Sequence, residues 1–186
     1  MKRCIDFLLS IIAILILIIP ILVTSLLIKI TSKGPVIYWS NRIGRDNKIF
    51  KMPKFRSMHV GTEEVATHLL TNPESTLTSI GSFLRKSSLD ELPQLWSILI
   101  GDMSFVGPRP ALFNQYDLIQ LRTQYGIEKC LPGLTGWAQV NGRDELAIPV
   151  KVQFDDEYRQ RQSVFFDFYI LWLTFLKVIY RANISH

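Results

Sequence analysis

From Phe7 to Ile28 the chain runs for 22 residues without a charged side chain. A helix of that length reaches across the hydrocarbon core of a bilayer. Any fold available to this chain must therefore keep a long apolar helix away from water. The run is too long for a cleaved signal peptide and no A-x-A site follows it. Its length and continuity also argue against a core helix of a soluble domain. Pro20 falls inside the run; a proline there removes one backbone hydrogen bond and kinks or breaks the helix. Lys2 and Arg3 precede the run, while Lys29, Lys33, Arg42 and Arg45 follow it. The positive-inside rule then places both ends in the cytoplasm. A kinked helix that enters one leaflet and returns meets both conditions. A straight span is the alternative.

Apolar residues make up 48% of the chain, high for a soluble protein, and the excess is concentrated in this N-terminal run, while the chain carries a net charge of +5. That balance suits a protein seated on an anionic membrane face and handling anionic substrates. Nucleic acid is not an expected partner, because the sequence has no reader motif and no dense basic stripe beyond Arg85-Lys86. Cys4 and Cys130 lie far apart and suggest neither a disulfide framework nor a Cys-rich zinc site, in keeping with a reducing compartment.

Past the apolar run, Gly34-Pro35 marks a turn and Val36–Trp39 a short strand, followed by a polar loop over 41–47. Lys48–Met58 interleaves Lys48, Lys51, Lys54 and Arg56 with apolar residues, as a basic strand or a short helix would. Residues 60–79 are rich in Thr, Ser, Glu and Asn and read as a loop or short helices over a site.

The chemistry centres on Ser87-Ser88-Leu89-Asp90-Glu91-Leu92-Pro93. Ser88 and Glu91 fit an S-x-x-E capping box, and Pro93 is tolerable only in a first turn. The spacing predicts a helix that starts here and runs to Ile100, with Asp90 and Glu91 in its first turn. Such carboxylates are either ordinary caps or the pair that phosphoryl chemistry needs: an aspartyl nucleophile and a neighbouring glutamate that holds a metal. Arg109 stands between Pro108 and Pro110, whose fixed φ angles mount its guanidinium rigidly for a phosphate or for a structural ion pair. Ala111–Gln124 is expected to be an amphipathic helix with Leu112, Tyr116, Leu118 and Ile119 along its apolar stripe. Gly133, Gly136 and Gly142 punctuate a loop without Walker A spacing, which argues against a P-loop NTPase. Arg143, after Asn141-Gly142, offers a second possible phosphate clamp, and Trp137 a ring to stack on a base or to pack internally. Lys151–Gln162 is charged and helical in pattern. Val164–Tyr180 is apolar and aromatic with Asp167 and Lys177 as its only charges, an interfacial helix or part of a core.

In order along the chain, the Pro-containing apolar helix, Lys54-Phe55-Arg56-Ser57-Met58, Ser88 to Trp96, Gly101 to Pro110, Pro132 to Arg143 and Asp167 before an apolar helix resemble the bacterial sugar transferases, the monotopic phosphoglycosyl transferases. The resemblance implies transfer of a sugar-1-phosphate from a UDP-sugar to undecaprenyl phosphate in the cytoplasmic leaflet of the bacterial inner membrane, with release of UMP. It implies Asp90 as nucleophile, through a covalent phosphosugar-aspartate, and Glu91 as the Mg2+ ligand. Arg109, Arg85, Lys54 and Arg143 are then the candidates for phosphate binding, and Asp155 corresponds to an acidic position ahead of the C-terminal helix. Inner-membrane lipids and downstream glycosyltransferases would be partners. Many relatives have Ser-Pro at the helix break, whereas Ile19 precedes Pro20 here. The chain is also expected to resemble the small members of the family, without a large extra membrane domain.

The expected fold is α+β and helix-rich: a re-entrant helix over 1–33 broken near Pro20, a catalytic domain over 34–163 seated on the membrane, and an interfacial helix and tail over 164–186. Two rival functions share these features: a membrane phosphatase or pyrophosphatase working through phospho-aspartate, and a non-catalytic membrane scaffold.

Overall fold

A computed structural model describes residues 1–65, 72, 74–142 and 146–184, with side chains as far as Val178. It is helix-rich α+β. The order is α1 (Lys2–Thr31), β1 (Ile37–Ile43), β2 (Ile49–Phe55), α2 (Gly81–Lys86), α3 (Gln94–Ile100), β3 (Ser104–Val106), α4 (Tyr116–Gln124), β4 (Gly133–Thr135), α5 (Trp137–Asn141), α6 (Ile148–Arg161) and α7 (Val164–Ile184).

Helix α1 continues through Pro20 from Lys2 to Thr31, about 45 Å at the standard rise. Asp6, Ser10, Thr24 and Ile28 are buried on one face. Ala13, Ile14 and Leu17 pack on the core of Met52, Leu95, Ile98 and Met103. Ile21 joins the core of Ile28, Phe55 and Leu84. These positions repeat every three or four residues and form one stripe. The opposite stripe, including Leu8, Ile12, Leu15, Ile19, Leu22 and Leu26, is exposed and wholly aliphatic.

Both ends of α1 are fastened to the same body. At the start, Lys2 Nζ pairs with Asp167 at 2.6 Å and donates to the Val106 carbonyl at 3.0 Å. Arg3 donates to the last carbonyls of α3, at Ile98 and Leu99, where a cation also meets the negative end of the helix dipole. Asp6 accepts from the Ser104 hydroxyl and the Phe105 N–H. At the other end, Arg56 donates to the carbonyls of Ser32 and Pro35.

Strands β1 and β2 form an antiparallel hairpin in which Tyr38 faces Lys54, Ser40 faces Met52 and Arg42 faces Phe50. Its turn places Asp46 and Asn47 at φ 57°, a region those side chains tolerate better than most. The basic segment from Lys48 is therefore a strand. Strands β3 and β4 pair in parallel, Ser104 with Gly133 and Val106 with Thr135. Their closeness depends on glycine: a Cβ on Gly133 would stand 2.1 Å from the Gly107 nitrogen and 2.6 Å from its carbonyl oxygen.

Two local expectations change, and at Trp137 one of two open alternatives is taken. Ser88 makes no side-chain cap and lies at φ 57°, so the capping box does not form. Leu89–Glu91 is a 3-10 turn, and α3 begins only after Pro93. Glu91 has a stronger use for its carboxylate than an N–H, described below. The helix expected from Ala111 starts at Tyr116. Leu112 is buried ahead of it, bridged to Arg42, and Tyr116 faces solvent. Trp137 is packed, its ring lying against Phe154, Phe166 and Tyr169 and its N–H donating to Glu157 at 2.7 Å. Most of the 60–79 segment's centre lies outside the described residues.

Because the clash at Gly133 is with backbone, Gly133→Ala is expected to destabilise the fold at least as much as Ile98→Ala. The latter should cost about 2–5 kcal/mol for a fully buried aliphatic. Denaturant melts of the two variants in detergent, beside wild type, check the ranking.

Candidate active site

The site is assembled from three separate parts of the chain. Lys54 ends the hairpin on β2, Asp90 and Glu91 sit on the 3-10 turn after α2, and Arg109 stands in the Gly107-Pro108-Arg109-Pro110 loop that leaves β3. Glu91 Oε1 accepts from Lys54 Nζ at 3.1 Å and from Arg109 at 2.9 Å. One carboxylate oxygen thus ties all three together. The side chains of Lys54 and Glu91 are largely buried, whereas about a third of Arg109 remains open to solvent.

Burial by itself pushes the Glu91 carboxyl up, but Arg109 and Lys54 outweigh it and hold the group well below the usual carboxylate range. Burial pushes the Lys54 ammonium down, with Glu91 opposing and Arg109 assisting. Asp90 is buried and shifts the other way: desolvation raises its carboxyl, Glu91 adds to the rise, and Lys54 and Arg85 pull against it. Its carboxylate forms no hydrogen bond or ion pair with any described residue. Two adjacent acids therefore have opposed environments, one saturated with cations and one unpartnered. Ser88, two residues before Asp90, holds a left-handed backbone that a serine adopts only at a cost of about 1–3 kcal/mol. The turn is thus fixed by its surroundings.

The Arg109 loop is held from behind. Gly107 N–H donates to Thr135 and the Pro108 carbonyl accepts from Gly133, both at 2.9 Å. Arg122 donates to the Arg109 carbonyl at 2.8 Å and to Asp155 Oδ2 at 2.9 and 2.6 Å. Asp155 is 1% exposed. It therefore lies behind the loop on Arg122, and the structure does not bring it among the phosphate candidates. Arg85, on α2, approaches Asp90 electrostatically. Arg143 lies outside the described residues.

Three polar residues that sequence reasoning passed over adjoin this group. Glu64 accepts from the Ser40 hydroxyl and the Asn41 N–H, both at 2.8 Å. Arg42 donates to Ser40 Oγ at 2.9 Å and to the Pro110 carbonyl at 3.2 Å. Burial and the nearby Glu64 carboxylate push the Tyr38 hydroxyl up to about 12. The period-two spacing of Tyr38, Ser40 and Arg42 was the available signal, and it needed the strand pairing to be read.

Among the described residues no three metal-ligating side chains converge, so there is no all-protein cage. Mg2+ does not require one: it binds one or two carboxylates and fills its remaining positions with water and phosphate oxygens. Asp90 and Glu91 Oε2, neither bonded to a described residue, fit that donor set.

Residues 1–181 match the family described as Bacterial sugar transferase. The chain is 43% identical over 185 residues to UDP-glucose:undecaprenyl-phosphate glucose-1-phosphate transferase of Escherichia coli K12, covering 95% of this chain and 40% of that protein. It is 38% identical over 199 residues to undecaprenyl-phosphate galactose phosphotransferase of Salmonella typhimurium, covering 98% and 41%. It is 33% identical over 183 residues to UDP-N-acetylgalactosamine-undecaprenyl-phosphate N-acetylgalactosaminephosphotransferase of Aeromonas hydrophila, covering 96% and 43%. The chain thus spans about two fifths of the length of these relatives. With nearly its whole length matched at this identity, the chain belongs to the bacterial sugar transferase family.

Proposed function

We propose that this chain transfers a sugar-1-phosphate from a UDP-sugar to undecaprenyl phosphate, releasing UMP, as the first step of a surface glycan. The observation that carries the reading is the unpartnered Asp90 beside a Glu91 already bracketed by Lys54 and Arg109. In the first step an Asp90 oxygen attacks the phosphorus that bears the sugar. The bond from that phosphorus to the bridging oxygen breaks, and its electron pair leaves on UMP. In the second step an oxygen of the lipid phosphate attacks the same phosphorus and Asp90 departs as carboxylate. No proton is exchanged at the reacting atoms in either step. Burial disposes Asp90 toward displacing a phosphate group, and Lys54 and Arg109 neutralise charge gathering on the phosphoryl oxygens. Bound at Asp90 and Glu91, Mg2+ would supply further screening between the carboxylate and the diphosphate.

The membrane supplies the acceptor, and the two apolar surfaces fit it at different depths. The exposed stripe of α1 is aliphatic, whereas that of α7 carries Phe165, Phe168, Tyr169, Trp172 and Phe175. Aliphatic side chains suit the acyl region and aromatic ones the headgroup boundary. With both ends of α1 fastened to one catalytic body, an arrangement that keeps both ends on one face of the membrane is favoured. We place that face on the cytoplasmic side of the inner membrane.

UMP release from UDP-glucose, UDP-galactose and UDP-N-acetylgalactosamine, with Mg2+ and undecaprenyl phosphate, tests the reaction. Lipid-dependent release is expected for at least one donor and should fall about a thousandfold or more in Asp90→Asn. A folded wild-type chain that turns over none of the three, or an Asp90→Asn variant with full activity, refutes it. Wild-type kcat should fall on both sides of an optimum. The acid limb lies above the ordinary aspartate range, because Asp90 is raised and must be ionised. The alkaline limb lies below the ordinary lysine range, because Lys54 is lowered and must be charged. Lys54→Arg is expected to move only the alkaline limb upward.

Topology has its own test. In intact spheroplasts a membrane-impermeant maleimide should label neither Cys4 nor a cysteine placed by Lys33→Cys, and should label both after lysis. Labelling of one alone from outside would mean that α1 spans.

A further inference from the structure

Pro108 and Pro110, on either side of Arg109, have no N–H to donate. The loop is gripped instead through three successive carbonyls, each by a different element. The Pro108 carbonyl accepts from the Gly133 N–H of β4 at 2.9 Å and the Arg109 carbonyl from Arg122 of α4 at 2.8 Å. The Pro110 carbonyl accepts from Arg42 of β1 at 3.2 Å.

The middle bond has a carboxylate behind it. Arg122 turns Nε and one terminal nitrogen to Asp155 Oδ2, at 2.9 and 2.6 Å, and gives its other terminal nitrogen to the Arg109 carbonyl. Both side chains are buried, Arg122 on α4 and Asp155 on α6. Burial pushes the Asp155 carboxyl up against the pull of Arg122. A pair so far from water contributes little net stability, because desolvation offsets the attraction. What it supplies is direction. Asp155 fixes the plane of a guanidinium that meets one carbonyl. That carbonyl belongs to the residue whose side chain reaches Glu91 at 2.9 Å.

We propose that Arg122, backed by Asp155, is a positioning residue for the reaction. It acts by fixing the Arg109–Pro110 peptide so that the Arg109 guanidinium meets Glu91, and it makes no contact with substrate. The assignment rests on the reaction proposed above. It gives Asp155 a task one step removed from the phosphates. A displacement of about 1 Å, transmitted from outside the reacting centre, is enough to cost about 100-fold in rate.

Replacing both partners together, Arg122→Met with Asp155→Val, removes the bond to the Arg109 carbonyl without stranding a buried charge. The test measures UMP release, with Mg2+, undecaprenyl phosphate and a UDP-sugar that the wild-type chain turns over. The paired substitution is introduced into two backgrounds, wild type and Arg109→Ala. In the wild-type background kcat should fall about 10- to 100-fold. In the Arg109→Ala background no guanidinium is left to place, and the same pair should change kcat by less than about threefold. Losses that agree within about threefold in the two backgrounds would mean that Arg122 and Asp155 support the fold at large, and overturn the assignment. Should the apolar pair not fold, Arg122→Lys takes its place in the same comparison, since it keeps a cation opposite Asp155 but loses the fork. If the lysine variant does not fold either, the role is structural and the assignment falls. Wild-type protein that turns over no UDP-sugar would instead refute the reaction on which the assignment rests.

Discussion

The bond from Glu91 Oε1 to both Lys54 and Arg109 is the constraint on which the site depends. A strand, a turn and a loop far apart in sequence meet at one oxygen. An ion pair so largely removed from water contributes little net stability, because desolvation offsets much of the attraction. Its consequence is positional. Removing either partner would strand a buried charge, so the three segments are held to one arrangement. That arrangement leaves Asp90, the preceding residue, without an ion pair to any described residue, although Lys54 and Arg85 act on it at a distance. The division of labour between two neighbouring acids follows from which one faces the cations, and the 3-10 turn decides that. On a regular helix they would sit about 100° apart with a similar share of the N-terminal dipole.

A second layer keeps the cations where Glu91 needs them. Arg109 is anchored through its backbone: by Arg122 and Asp155 behind, and by the parallel pairing of β3 with β4 beside it. The glycine contacts matter here more than the proline frame. Gly107, Gly133 and Gly136 stand so close that a Cβ on Gly136 would lie 2.1 Å from the Gly107 carbonyl oxygen, and Arg109 is two residues beyond Gly107. The prolines fix φ, but the pairing fixes where the loop is.

This explains what could be read from the sequence. Asp90 and Glu91 were legible because adjacency is local, and Lys54 and Arg109 because a basic strand and a proline-framed arginine are local features. The apolar run was legible by length alone. The capping box was misread because the S-x-x-E pattern reports only a local option, and the Lys54 and Arg109 cations offer Glu91 a better one. Asp155 could be chosen as an acidic position, but its partner Arg122 lies 33 residues away and only the fold joins them. Arg42 required the register of β1 on β2, which a turn with two left-handed residues sets. Tertiary pairings of this kind leave little trace in a single sequence.

The membrane helix belongs to the same argument. Its buried stripe carries Asp6 and Ser10 at one end and Thr24 at the other, an arrangement costly for a helix surrounded by lipid. Asp6 meets the Ser104 hydroxyl and the Phe105 N–H at β3. Lys2 meets the Val106 carbonyl one residue further on. Strand β3 then leads through Gly107 to Arg109. The polar end of α1 is thus bonded to the strand that leads into the Arg109 loop. Detachment of α1 from this strand would leave Asp6 and Lys2 unpaired in an apolar setting and would loosen the support beneath Arg109. One side of α1 thus presents an aliphatic stripe to its surroundings, and the other is joined by polar and charged bonds to β3, the strand that leads into the site.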